Sequence, residues 1–147
     1  MNAPTFTTPM QLIPIKETPE ENEALMRHVG LQAVVQMTID FYKKVGYAEP
    51  WIDYLAEESG DWVGSAAFKG APVNGTIEIA YGTNENYRNK GVGATICKLL
   101  VDLALTTDPL LKITARTISD DNFSSKILLK NNFICTGTVQ DPEDGEV

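Results

Sequence analysis

The sequence predicts an α/β fold of α+β type, in which a mixed, mostly antiparallel sheet of about six strands is flanked by about four helices. Two observations carry this prediction. Strands follow one another in the first half of the chain, and strands then alternate with helices, which places helices on both faces of a mixed sheet. The 147 residues, 43% hydrophobic and 22% charged, have the size and composition of a single domain spanning residues 1–147.

The first half of the chain predicts two helices and three strands. We expect a strand at residues 10–16 and then a helix that begins near Thr18, which suits an N-cap because acidic residues follow it. A second helix ends at Gly46. Strands at residues 51–57 and 62–68 are joined by a short glycine-containing turn and predict an antiparallel hairpin. The apolar stripe of the second helix consists of Leu31, Val34, Val35, Ile39 and Tyr42.

The second half predicts three strands that alternate with two helices. A strand at residues 77–83 leads into a helix at residues 91–105 with an amphipathic stripe, and a strand follows at residues 112–118. Polar residues then provide N-caps for a last helix, which ends at Asn132 because asparagine tolerates the left-handed conformation. The sixth strand is expected at residues 133–139.

The turn between the strand at residues 77–83 and the next helix is basic and contains two glycines. The first turn of a helix has free backbone N–H groups and the positive end of the dipole, so it attracts an anion. Gly91 and Gly93 keep this approach open, because a Cβ would push a diphosphate away. Arg88 and Lys90 add positive charge. The turn indicates a pyrophosphate site; the alternative is an ordinary strand-turn-helix with two solvated basic residues.

Two common phosphate loops do not match this turn. A dinucleotide fingerprint needs Gly-x-Gly-x-x-Gly, whereas this chain has Gly91-Val92-Gly93-Ala94-Thr95-Ile96. A nucleoside-triphosphate loop needs Lys-Ser or Lys-Thr directly after its second glycine, and Ala94-Thr95 does not supply it. The turn instead resembles the Arg/Gln-x-x-Gly-x-Gly/Ala motif of the GNAT superfamily of acetyl-CoA-dependent N-acetyltransferases.

The resemblance extends to both sides of the motif, over roughly residues 10–147. Residues 69–81 are similar to the third and fourth strands of the branch that contains ribosomal-protein alanine acetyltransferases. Residues 121–133 are similar to the Asn-x-x-Ser helix of that branch, which ends in Lys-Asn-Gly-Phe. The resemblance implies a sheet that is splayed between its fourth and fifth strands, with the coenzyme in the resulting cleft.

The resemblance implies that the cofactor is acetyl-CoA, which serves as the acetyl-donor cosubstrate. The pantetheine arm would pair with the fourth strand, and the pyrophosphate would lie on the glycine turn. Asn122 would contact pantetheine if the start of the last helix absorbs a one-residue deletion; otherwise Asp121 occupies that place. The implied cofactor-binding residues are Tyr81, Gly82, Thr83, Arg88, Asn89, Lys90, Gly91, Val92, Gly93, Ala94 and Asn122.

Three catalytic candidates follow from the same resemblance. An aliphatic amine is mostly protonated at neutral pH, so a base must remove a proton before it attacks. Glu78 is the candidate for this role, and the alternative is a strand glutamate in a structural ion pair. Ser124 and Ser125 are candidates for protonating the thiolate, because the tyrosine that relatives often use is absent. Both serines could instead cap the helix, and water could supply the proton.

The resulting hypothesis is an N-acetyltransferase that moves acetyl from acetyl-CoA to a primary amine, with a small-molecule amine or a protein N-terminus as acceptor. The alternative is a catalytically impaired acyl-CoA-binding module; a small interaction domain is a further option. Residues 141–147 resemble the turn that introduces the family's seventh strand, and that strand is expected to be missing. Either a homodimer then covers the exposed sheet edge, or the site is more open.

The amino-acid composition limits the classes of molecule that the protein is expected to bind. A net charge of −8 argues against nucleic acid, although local basic groups still permit a polyanionic cofactor. The surplus carboxylates favour cationic amine acceptors or serve solubility. No apolar stretch is long enough for a membrane span and the N-terminus lacks signal-peptide order, so we expect a cytoplasmic protein. Cys97, Cys135 and His28 have no metal-ligand spacing, and we expect no metal.

Overall fold

The computed structural model describes residues 9–88, 91–115, 127, 128, 131, 133, 140, 141, 145 and 146. Its centre is a five-stranded sheet in the order β1-β2-β3-β4-β5. The strands are β1 (Gln11–Pro14), β2 (Asp53–Glu58), β3 (Asp61–Phe68), β4 (Thr76–Thr83) and β5 (Lys112–Ala115). The α-helices with described bounds are α1 (Glu23–Met26), α2 (Val29–Val45) and α3 (Val92–Thr107), with short 3-10 helices at Glu20–Asn22 and Glu85–Tyr87.

The sheet is mixed, as the sequence predicts. β1 to β4 are antiparallel neighbours, and β5 pairs in parallel with β4 after the α3 crossover. The described sheet has five strands rather than about six, because the strand predicted at residues 133–139 lies outside the described residues except for Phe133. Pairing between β4 and β5 reaches Ile79↔Ala115. The predicted splay concerns the residues beyond this point, and residues 116–120 are not described, so it stays a prediction.

A small hairpin occupies the region where the seventh strand was expected to be missing. β6 (Gln140–Asp141) and β7 (Gly145–Glu146) pair antiparallel in a separate two-stranded sheet. The two-residue strand β7 therefore lies within the segment predicted as the turn. In the described part of the chain, this strand pairs with β6 and not with the central sheet.

The two faces of the sheet follow from the alternation along β4. Ile77 and Ile79 are each 1% exposed and share a face with Tyr81 and Thr83. α3 packs on this face, where Ile96 lies against Gly64 of β3. The opposite face carries Glu78, Ala80 and Gly82, together with Ser65 and Ala67 of β3 and Asp53 and Leu55 of β2.

The opposite face is partly covered by α2. Val35, Ile39 and Tyr42 of this helix are buried. Small side chains at Ser65 and Ala67 of β3 leave a gap below the helix, which becomes the cleft described in the next subsection. None of the helices in the described ranges has the length and apolar character needed to cross a membrane.

Tyr42 joins α2 to the edge of the sheet. Its side chain is 5% exposed, and its hydroxyl donates to the Ile15 carbonyl at 2.8 Å and accepts from the Asp53 N–H at 2.9 Å. Tyr42→Phe leaves both buried backbone groups without this partner, so we expect the free energy of unfolding to fall by about 2 kcal/mol. Urea denaturation measures this change.

Tyr47→Phe is the matched control for that experiment. The Tyr47 hydroxyl donates to the exposed Glu49 carboxylate at 2.7 Å, so water replaces this contact and the expected loss is below about 0.5 kcal/mol. Equal losses in the two variants would contradict the role given to the Tyr42 hydroxyl.

Candidate functional site

The first turn of α3 begins at a glycine with left-handed backbone geometry. Gly91 is the N-cap with φ 78° and ψ 4°, a region that favours glycine, and as a glycine it brings no side chain to cap the helix. The first intrahelical bond runs from the Thr95 N–H to the Gly91 carbonyl at 3.2 Å. The N–H groups of Val92, Gly93 and Ala94 precede that bond and are free of intrahelical partners. This geometry suits an anion at the start of α3.

Gly93 lets α3 pack closely against its neighbours. A Cβ on this residue would lie 2.8 Å from Ile127 Cδ1 and 3.1 Å from Thr83 Oγ1. These contacts give a second reason for glycine at this position, and the approach of a diphosphate past Gly93 stays a prediction. Gly93 therefore sets the distance between α3, the end of β4 and Ile127.

Arg88 lies between the end of β4 and the start of α3. Its side chain is exposed, and it forms no ion pair with any residue in the described ranges. Its guanidinium is therefore available to an anion placed at the start of α3. Asn89 and Lys90, which complete the predicted turn, lie outside the described residues.

The second half of β4 provides a backbone edge next to this turn. Tyr81, Gly82 and Thr83 pair with β3 on one side. On the β5 side, the described pairing with β4 ends at Ile79↔Ala115, so the described part of β5 does not extend alongside these three residues. An extended ligand can add to such an edge as a further strand would.

Glu78 forms an ion pair with Lys69. The Lys69 Nζ lies 2.8 Å from Glu78 Oε2, and the Lys69 N–H donates to the Glu78 carbonyl at 2.9 Å. The Glu78 side chain remains 21% exposed, on the same face as Ala80 and Gly82. This ion pair is what we expect if Glu78 is a strand glutamate with a structural role and not a base. The Oε2 atom is buried, so the exposed part of this side chain lies elsewhere on it.

The last helix is described only in part. Asn122, Ser124 and Ser125 lie outside the described residues, and their predicted roles stay predictions. Leu128 is helical and packs against the core. The Asn131 side-chain amide donates to the Ala94 carbonyl at 3.4 Å and to the Ile127 carbonyl at 3.0 Å. Asn131, which the sequence analysis did not single out, therefore links this helix to the first turn of α3.

A cleft of about 340 Å³ lies between α2 and the sheet face that carries Glu78. Thr38 of α2, Asp53 of β2 and Ser65 of β3 are its polar lining residues, beside the backbone of residues 80–82. Burial raises the pKa of the Asp53 carboxyl above its ordinary value. Sequence reasoning missed Asp53, because only the pairing register of β2, β3 and β4 places it on the same face as Ala80.

The described cysteine is inert in this setting. Cys97 is fully buried in α3, and burial raises the pKa of its thiol to about 11 despite a hydrogen bond with Tyr81 that lowers it. The thiol therefore stays protonated at neutral pH, in agreement with its interpretation as a small apolar residue. Within the described ranges, no three His, Cys, Asp or Glu side chains are grouped so that they could hold a metal ion.

A comparison of the sequence with models of known protein families identifies the family of this chain. The model of the acetyltransferase (GNAT) domain family matches residues 3–134. The chain therefore belongs to the GNAT acetyltransferase family, and the resemblance inferred from the glycine turn is confirmed.

Individual relatives agree with this assignment. The uncharacterized N-acetyltransferase YjdG of Bacillus subtilis (strain 168) is 36% identical over 87 residues, which are 58% of this chain and 51% of that relative. The match thus spans about half the length of this curated relative.

Solved structures share the fold across nearly the whole chain. A RimL ribosomal L7/L12 alpha-N-protein acetyltransferase in complex with coenzyme A has a TM-score of 0.66 at 18% identity, covering 95% of this chain and 90% of that one. The aminoglycoside acetyltransferase AAC(6')-Ib in complex with coenzyme A has a TM-score of 0.64 at 20% identity, covering 96% and 91%. At these identities, the structures show the fold alone.

Proposed function

We propose that the chain is an acetyl-CoA-dependent N-acetyltransferase that transfers acetyl to a primary amine by direct attack. The observation that carries this proposal is the start of α3. The left-handed Gly91 begins a helix whose first N–H groups have no intrahelical partner. This helix start lies beside Arg88 and follows the strand edge of residues 81–83. Because the chain belongs to the GNAT family, acetyl-CoA is the anion that we expect to bind at this turn.

The described residues fit such a cosubstrate. The N–H groups of residues 92–94 and the Arg88 guanidinium would hold the pyrophosphate, as charge-assisted donors do. The backbone of residues 81–83 would pair with the pantetheine arm. Asn89, Lys90 and Asn122 are proposed as further contacts, although they lie outside the described residues. Two solved relatives that contain coenzyme A support this assignment.

Glu78 is proposed to act as the general base. It would accept a proton from the acceptor ammonium, directly or through water, and the neutral nitrogen would then attack the thioester carbon. The C–N bond forms and the C–S bond breaks. The departing thiolate takes a proton from Ser124, Ser125 or water, and the nitrogen gives up its surplus proton as the amide forms, which restores that donor. The Lys69 ion pair fixes the carboxylate at 2.8 Å while the acceptor binds. Correct positioning of both reactants supplies much of the rate.

Several finer features belong to the same proposal. The acceptor is a small-molecule amine or a protein N-terminus; relatives named for an aminoglycoside and for ribosomal L7/L12 represent both classes. A homodimer would cover the sheet edge, for which the two-residue length of β7 is the support. We further propose a cytoplasmic location.

Release of free thiol from acetyl-CoA, measured with a panel of primary amines, tests the proposed activity. We expect release that depends on both the amine and the protein, with the acetylated amine detected by mass spectrometry in equal amount. The second candidate, an acyl-CoA-binding module, rests on the Glu78 carboxylate being committed to Lys69. Acetyl-CoA binding without turnover of any amine would favour that module and reject the enzyme.

A further inference from the structure

The cleft below α2 has a polar group at one end and small residues along its floor. Asp53, Ala67 and Ala80 form one row across β2, β3 and β4, because Asp53 pairs with Ala67 and Ala67 pairs with Ala80. The short side chains at Ala67 and Ala80 leave the floor low between the Asp53 carboxyl and β4. Apolar side chains from Ile15, Val34 and Leu55 also line the cleft. Such a cleft suits a narrow ligand with an apolar chain.

Asp53 is held in place at the far end of this row. The Ile15 N–H donates to the Asp53 carbonyl at 2.9 Å, and the Tyr42 hydroxyl accepts from the Asp53 N–H at 2.9 Å. In the described ranges, no Lys, Arg or His forms an ion pair with the Asp53 carboxylate. A partly buried carboxylate without a counterion favours a bound cation, which offsets its loss of hydration.

The distance from Asp53 to β4 assigns the carboxylate a role in binding. Two strand spacings separate Asp53 from Ala80, which is about 10 Å. A base must lie within hydrogen-bond reach of the proton it removes, or one water away. Asp53 is too far from the β5-facing edge of β4 for that reach. It is placed to bind a different group of the same acceptor.

We propose that this cleft is the acceptor subsite and that Asp53 binds a second ammonium group of a diamine or polyamine, about 10 Å from the reacting nitrogen. The inference rests on the proposed function, because that function places the reacting nitrogen at the edge of β4. The Thr38 hydroxyl donates to the Val34 carbonyl at 2.8 Å and keeps its oxygen free to accept from the ammonium group. The exposed Ser65 hydroxyl lies on the same face. The net charge of −8 favours the approach of a polycation.

Binding of diaminohexane and of hexylamine to the chain without coenzyme A tests the proposal. The two probes share their apolar chain and differ by one ammonium group. We expect NMR chemical-shift titrations to give a dissociation constant about tenfold lower for the diamine, with the largest shifts at the amides of Asp53 and Thr38. Asp53→Asn, which keeps the side-chain shape, should remove the preference. Equal affinity of the wild-type chain for both amines would overturn the proposal.

Two further variants separate a local effect from a general one. Asp61→Asn makes the same change of charge at the exposed start of β3 and should keep the tenfold preference. Ala67→Leu raises the cleft floor between Asp53 and β4 without a change of charge, and it should weaken diamine binding. A preference retained in Asp53→Asn, or lost equally in Asp61→Asn, would reject the Asp53 subsite.

The binding experiment also stays distinct from the test of the proposed function. Diamine binding through Asp53 without acetyl transfer to any amine would keep the subsite and reject the enzyme. Acetyl transfer with no preference for diamines in binding or in kcat/KM would keep the enzyme and reject the subsite. In an active enzyme, Asp53→Asn should raise KM for the diamine about tenfold, with a smaller change in kcat.

Discussion

Gly64→Ala is expected to lower the free energy of unfolding by about 3 kcal/mol. A Cβ at this position in β3 would lie 2.3 Å from the Gly82 carbonyl oxygen and 2.7 Å from Ile96 Cδ1. Ile96 can turn to another rotamer, but the Gly82 oxygen belongs to the backbone of β4. The added methyl group therefore forces β3 and β4 apart, at the strand end that leads to the start of α3.

Gly30→Ala is the matched control for this prediction. Gly30 lies in the first turn of α2, and a Cβ there would meet no atom within 4 Å. Alanine has the higher helix propensity, so we expect the free energy of unfolding to rise by as much as about 1 kcal/mol. Urea denaturation of both variants gives the comparison. A Gly64→Ala protein as stable as the wild type would show that β3 and β4 are not packed as described.

Glu78→Gln is expected to lower kcat/KM by about 100-fold or more while the dissociation constant for acetyl-CoA stays within about twofold. Glutamine keeps the shape of the side chain but cannot accept the proton of the attacking amine. The loss should be largest near neutral pH, where most of the acceptor amine is protonated and needs a base, and smaller at high pH, where the amine is already neutral. Steady-state thiol release against pH measures both effects.

Lys69→Gln separates the two roles considered for Glu78. This variant breaks the ion pair of 2.8 Å and retains the carboxylate. If Glu78 is the base, Lys69→Gln should keep most of the activity that Glu78→Gln loses. If the ion pair is only structural, both variants should lose stability alike and neither should change the pH profile. That second result would remove Glu78 from the mechanism.

Elements with strong periodicity are the ones that sequence reasoning placed well. The helix predicted at residues 91–105 is α3 (Val92–Thr107), and the strand predicted at 77–83 is β4 (Thr76–Thr83). Both combine a regular apolar pattern with a clear boundary at the glycine turn. At the tip of the β2–β3 hairpin, Ser59 and Gly60 adopt positive φ and fix the first two pairs, but a bulge between Ala56 and Glu57 shifts the register of the other pairs by one residue.

The start of the chain was harder to predict from local patterns. A helix was expected to begin near Thr18, and the Glu21 N–H does donate to the Thr18 hydroxyl at 3.3 Å. This first helix is only a 3-10 turn (Glu20–Asn22) followed by the four-residue α1 (Glu23–Met26), whereas the second predicted helix is α2, which begins at Val29 after the extended His28. The buried Asn22 side chain accepts from the Lys16 N–H and donates to the Thr18 carbonyl, so it organises the turn through contacts that no periodicity reveals.

Some residues of the candidate site could be predicted from the sequence, and others could not. Gly91 and Arg88 belong to one contiguous motif, so the sequence alone could indicate the anion site. Asp53 reaches its place only through the pairing of three strands, and the neighbours of Gly93 depend on how α3 packs. Residues whose positions depend on tertiary register are therefore the ones that the sequence did not identify.

A calorimetric titration with acetyl-CoA tests the central claim most directly, when it is performed on the wild-type chain and on two charge reversals. Arg88→Glu reverses an exposed charge beside the first turn of α3. Arg27→Glu reverses an exposed charge after α1, where Arg27 pairs with Glu23 at the surface. Neither change removes a buried contact, so both variants should fold.

We expect micromolar binding by the wild-type chain and by Arg27→Glu, and binding at least about tenfold weaker by Arg88→Glu, since the reversed charge repels the pyrophosphate. A folded wild-type chain that does not bind acetyl-CoA, or an Arg88→Glu variant that binds it as well as Arg27→Glu does, would contradict the assignment of the start of α3 as the coenzyme site.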